Sequence, residues 1–179
     1  MPTAAISGTA TICSANGTNI TFTGTPNAIV TYTVNGGANQ TVTLNATGTA
    51  SVLSPILTSN AIYNLVNVAT TGANPCTQPQ TGTAQITVNA LPQATISGTT
   101  SICSGNAATI TFNGTPNATV TYSVNGGANQ TIALNATGTA TITTPILTAN
   151  VTYSLVNVAS TGINSCSQNV TGDAIVTVN

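Results

Sequence analysis

Cys13 and Cys103 stand 90 residues apart, as do Cys76 and Cys166, and Tyr32 and Tyr122, so the chain is written twice with a period of 90. The segment Val34-Asn35-Gly36-Gly37-Ala38-Asn39-Gln40-Thr41 returns as Val124 to Thr131, and roughly two thirds of the aligned positions are identical. A period this long exceeds one turn of a solenoid and suits a complete domain that buries its own core. Met1-Pro2 aligns with Leu91-Pro92, and Val88-Asn89 with Val178-Asn179, which sets two domains, 1–90 and 91–179. Starting and stopping at repeat boundaries is expected of a slice from a longer array with Met1 as an added start, and equally of a two-domain protein.

Within each repeat, apolar residues alternate with Thr, Ser or Asn at period two, the pattern of half-buried strands. Ile20 and Phe22 form one set, then Val30, Tyr32 and Val34, then Val42 and Leu44, then Ala50 and Val52. Tyr63 and Leu65 follow, with Ala84, Ile86 and Val88 last; an opening strand around Ile6 to Ile12 brings the number to about seven. Gly24-Thr25-Pro26-Asn27, Asn35-Gly36-Gly37, Asn45-Ala46-Thr47-Gly48 and Thr71-Gly72-Ala73-Asn74 supply the turns between them. No stretch shows a 3.6-residue period. The predicted fold is all-β: two tandem immunoglobulin-like or fibronectin-III-like antiparallel sandwiches of about seven strands each. Leu57 precedes Tyr63 by six residues, and Leu147 precedes Tyr153 likewise, a spacing like that of the tyrosine corner, in which the phenol bonds backbone at a turn.

The chain has no Lys, Arg or His, and Asp173 is its one acidic side chain. General acid–base catalysis needs a group titrating near neutral pH, and a paired-carboxylate site needs two acids. Ser and Thr abound without a base to activate them. No catalytic residue, cofactor site or metal site is therefore expected, since hard cations want several carboxylates and zinc wants clustered Cys or His. Nucleic acid is excluded by the lack of cations to meet phosphates. No apolar run is long enough for a transmembrane helix, and Met1 opens no signal peptide. The hydrophobic fraction of 41% is too high for a disordered tail. An uncharged surface is insensitive to pH and salt, gives trypsin no cleavage site, and lacks charge repulsion against association.

Each repeat carries two cysteines, the even number expected of one disulfide per domain: Cys13 with Cys76, and Cys103 with Cys166. Closing such a loop is worth about 4 kcal/mol in the chain-entropy picture. Structural disulfides belong to oxidising compartments, which points to secretion. In a regular sandwich, however, the loop after the first strand and the loop before the last lie at opposite ends. Either Cys13 sits in an early strand segment beside the last strand, or the strand boundaries lie elsewhere, or Cys76 pairs with Cys103 across the junction.

The string Ile6-Ser7-Gly8-Thr9 through Ile12-Cys13-Ser14, followed by Ile20-Thr21-Phe22, Gly24-Thr25-Pro26-Asn27-Ala28, Val30-Thr31-Tyr32 and Val34-Asn35-Gly36-Gly37, resembles a known repeat. It is similar to the tandem immunoglobulin-like modules of giant cell-surface and secreted adhesins of flavobacteria and other Bacteroidota. The resemblance covers nearly all of both repeats. It implies export by type IX secretion, attachment at the outer membrane, and roles in adhesion or gliding; the absence of a C-terminal sorting domain fits a slice from the middle.

The expected function is that of a structural stalk repeat of a secreted surface adhesin, whose partners are neighbouring repeats of the same chain. Asn89-Ala90-Leu91-Pro92-Gln93 is a short proline-containing link that restricts motion between copies. Two alternatives come from the surface. Edge strands without Lys invite homo-association into fibres. Thr21 with Thr23, Thr31 with Thr33, and Thr41 with Thr43 could build a hydroxyl array for surface glycans or ice, provided all three pairs share one face; otherwise they are ordinary solvent-facing strand residues.

Overall fold

Alternation of apolar and hydroxyl side chains produces strands throughout, and no helix forms anywhere in the computed structural model, which describes Met1–Asn179. The chain divides into two units, Met1–Ala90 and Leu91–Asn179. The first contains β1 (Ala4–Ser7), β2 (Ala10–Cys13), β3 (Asn19–Gly24), β4 (Ile29–Val34), β5 (Gln40–Thr43), β6 (Thr49–Leu53), β7 (Ala61–Ala69), β8 (Thr77–Pro79) and β9 (Thr83–Asn89). The second repeats the series as β10 (Ala94–Ser97), β11 (Thr100–Ile102), β12 (Thr109–Gly114), β13 (Thr119–Val124), β14 (Gln130–Ala133), β15 (Thr139–Thr143), β16 (Val151–Ala159), β17 (Ser167–Asn169) and β18 (Asp173–Val178).

In the first unit a three-stranded sheet in the order β1-β3-β6 faces a six-stranded one in the order β2-β9-β7-β4-β5, with β8 also on β7. The second unit has the same two sheets. This is the immunoglobulin-like or fibronectin-III-like sandwich expected from the alternation, but with nine strands per unit where seven were expected. One extra strand arises because the opening segment changes sheets: β1 runs antiparallel to β3 (Ile6↔Phe22), whereas β2 runs parallel to β9 (Ala10↔Ile86). Gly8 makes the crossover at φ 118°, where a Cβ would stand 2.7 Å from the Asn19 carbonyl oxygen, so only glycine fits. The other is β8, a three-residue strand that pairs with the end of β7.

Residues from both sheets fill the space between them. Ile20 and Phe22 of β3 meet Val30 and Tyr32 of β4, Tyr63 and Leu65 of β7, and Ile86 of β9, all buried. The Phe22 and Tyr32 rings lie 4.9 Å apart, tilted by 40°, and Tyr32 and Tyr63 are stacked at 6.1 Å. Few aromatics are available, so these three carry a disproportionate share of the apolar burial. The second unit repeats the set with Phe112, Tyr122 and Tyr153.

Tyr63 and Tyr153 are the third residues of β7 and β16, where a tyrosine corner would stand, but their hydroxyls make no hydrogen bond to backbone. They are core tyrosines whose rings pack against Tyr32 and Tyr122. Near the start of β7 the side-chain bond to backbone comes from asparagine. Asn35, at φ 50°, donates its N–H to the Ile62 carbonyl at 2.8 Å and accepts the Ile62 N–H on Oδ1 at 2.8 Å, extending the β4–β7 ladder by one step. Asn125 does the same with Thr152. Asn45 Oδ1 accepts the N–H groups of Thr47 and Thr49, both at 2.9 Å, and so closes the turn before β6.

Candidate functional site

Each unit has two ends defined by its own chain. The N-terminal pole is where the chain comes in: Thr25 donates its N–H to the Thr3 carbonyl, and in the second unit Gln168 Nε2 donates to the Pro92 carbonyl at 2.6 Å. The C-terminal pole is where it leaves, with Ser14 N–H on the Asn89 carbonyl and Ser104 N–H on the Asn179 carbonyl. Parallel pairing of β2 with β9, and of β11 with β18, fixes this polarity.

The cysteines lie on these poles, one of each kind per repeat. Cys13 pairs in register with Asn89, at the C-terminal pole, and Cys103 precedes Ser104 beside Asn179. Cys76 is at the N-terminal pole, where its carbonyl accepts the Thr70 N–H at 3.0 Å and its N–H donates to Thr70 Oγ1 at 2.8 Å. Cys166 makes the same pair of bonds with Ser160 and is buried. The whole length of β7 separates Cys13 from Cys76. At about 3.3 Å per residue that is about 30 Å, whereas a disulfide needs Cα atoms within about 7 Å.

The expected pairs Cys13 with Cys76 and Cys103 with Cys166 are therefore not formed. Cys13 and Cys166 are each in the disulfide-bonded state, while Cys76 and Cys103 are free and exposed, so no bond joins Cys76 to Cys103 either. Of the three options left by the sequence, the placement of Cys13 beside the last strand is the one realised. What sequence spacing missed is that the second cysteine of each repeat precedes β8 and not the last strand.

The threonine pairs fall on two different faces. Ile20 and Phe22 point into the core, which turns Thr21 and Thr23 to the outside of the three-stranded sheet beside Ser51 and Thr49. Val30 and Tyr32 likewise point inward, so Thr31 and Thr33 face out from the six-stranded sheet, with Thr41 opposite Thr31. The single hydroxyl array required for the glycan or ice reading does not assemble. In the second repeat Ala133 replaces Thr43, and Ser123, which replaces Thr33, is buried.

Between the sheets of the second unit opens a groove of about 350 Å³, lined by Tyr122, Val124, Gln130, Ile142, Thr143, Pro145 and Tyr153. The Tyr122 hydroxyl donates to Gln130 Oε1 at 3.0 Å. Burial pushes the phenols of Tyr32, Tyr63 and Tyr153 above their ordinary range, and a neighbouring tyrosine adds to this for Tyr63 and Tyr153. The groove offers phenol and threonine hydroxyls, an amide and ring faces, and no carboxylate, imidazole or amine side chain lines it. Asp173 is exposed at the start of β18, paired with Ser154.

No three metal-ligating side chains come together, and no helix is long and apolar enough to cross a membrane. No protein-family model matches the chain, and no curated protein matches it. Among solved structures, the crystal structure of chicken CNTN1 FN1-FN3 domains aligns with 97% of this chain and 64% of that one, so this chain spans under two thirds of its length. Sequence identity is 15% and the TM-score 0.37. The assignment to an immunoglobulin-like or fibronectin-III-like sandwich rests on the strand order and register of the two units themselves.

Proposed function

We propose that the chain is a structural repeat from the stalk of a secreted bacterial surface adhesin. The observation that carries this reading is the polarity of each unit. The chain comes in at one end and leaves at the other, having completed its own core on the way, so copies can be added in series without disturbing those already folded. Composition supports the same reading, because a surface with a single carboxylate and no cation can present hydroxyls and amides but cannot drive proton or metal chemistry. Disulfide-bonded Cys13 and Cys166 favour an oxidising, extracellular setting.

A glycan array probed with the two-repeat chain tests the stalk role against the binding role. The expected result is no retained sugar. A glycan held specifically, and lost on Tyr122→Ala at the groove, would replace the stalk reading with that of a binding module. Lateral fibre assembly through sheet edges has less support, since β1, β2, β5, β6 and β8 are only three to five residues long, and short edges are themselves a guard against pairing. Sedimentation under reducing conditions should accordingly give one monomeric boundary.

A further inference from the structure

The two exposed thiols are the one feature that an isolated stalk repeat does not use. Cys76 sits at the N-terminal pole of the first unit and Cys103 at the C-terminal pole of the second. The same two positions of the repeat, occupied by Cys166 and Cys13 in the sister copies, are disulfide-bonded. Both positions are therefore competent to bond, and one cysteine of each kind is left over.

Neither leftover can be satisfied inside its own repeat, because β7 or β16 holds the two poles about 30 Å apart. We infer that Cys76 and Cys103 are directional coupling points, the Cys103 thiol of one chain forming a disulfide with Cys76 of a second copy of the same chain. Joining a C-terminal pole to an N-terminal pole preserves chain direction from one copy to the next. The contact is heterologous and leaves one free thiol at each end of the product, so further copies can be added at either end. Ile146 adds apolar surface at the C-terminal pole: it is 72% exposed and precedes Leu147, whose carbonyl accepts the Gly105 N–H two residues beyond Cys103.

The chemistry balances as a thiol–disulfide exchange. Two thiols give up two protons and two electrons to a small oxidised disulfide such as oxidised glutathione, which leaves as two thiols, and one Sγ–Sγ bond forms between the chains. This goes beyond the stalk reading. Because the test supplies its own oxidant, its failure is distinguishable from failure of the extracellular assignment.

The experiment treats the purified protein with oxidised glutathione and separates it under non-reducing denaturing conditions. Wild type is expected to give a ladder at multiples of 17.6 kDa that collapses with dithiothreitol. Cys76→Ser and Cys103→Ser, checked for folding by circular dichroism, are each expected to stay monomeric alone and to form a dimer, and nothing larger, when mixed. That complementation is what direction predicts. Wild type remaining monomeric overturns the proposal, whether intact mass shows free thiols, glutathione caps or a bond within one chain. So do single variants that dimerise as readily as their mixture, since their bonds would carry no polarity.

Discussion

Asn35 performs two tasks with one residue: its backbone turns through the left-handed region at φ 50°, and its side chain accepts the Ile62 N–H. Substitutions can separate them. Asn35→Gly keeps the turn and loses the hydrogen bond, for a cost of about 1 kcal/mol. Asn35→Ala loses both and should cost about twice as much, because a Cβ without a local polar partner disfavours the left-handed backbone by about 1 kcal/mol. Urea unfolding of the two variants measures the difference directly. Phe22 is fully buried in contact with Tyr32. Phe22→Ala should destabilise the first unit by about 3–5 kcal/mol while Phe112 remains in place in the second, so calorimetry should resolve two transitions where the repeats are otherwise matched.

At the scale of elements, the strands that alternate cleanly, β3, β4, β7 and β9, were legible from side-chain period alone. The division of the opening strand was not, because it depends on the approach of the Asn19 carbonyl to Gly8, a contact made between residues distant in sequence. Nor was β8, since Thr77-Gln78-Pro79 is too short to show a period and is defined by the β7 edge it pairs with. The cysteines share this limit: their count was readable, but the pole each one occupies follows from topology.

The stacked tyrosines link β4 and β7 to alkaline stability. Burial raises the Tyr32 and Tyr63 phenols above the ordinary value of 10.0. The unfolded chain therefore loses these protons first as pH rises, and by linkage unfolding is favoured in that range. Stability should be fully present below pH 10 and decline as pH climbs through the folded-state values. Phenolate absorbance and the thermal midpoint, followed together, should move in the same window.

For the whole molecule, the near absence of charge predicts that screening has almost nothing to act on. Shortening the Debye length from about 30 Å to about 8 Å with sodium chloride should leave the thermal midpoint unchanged, as scanning calorimetry would show. A second consequence follows from β2 lying parallel to β9, with the termini of each unit leaving at opposite poles. Tension applied through the ends slides β2 along β9, loading their hydrogen bonds in shear so that they must rupture together. Handles attached at Asn27 and Thr71, which meet at one pole, would instead peel β4 from β7 one bond at a time. Such a module should resist being drawn out lengthwise far better than being unzipped from one end, which is what a tether under hydrodynamic drag requires.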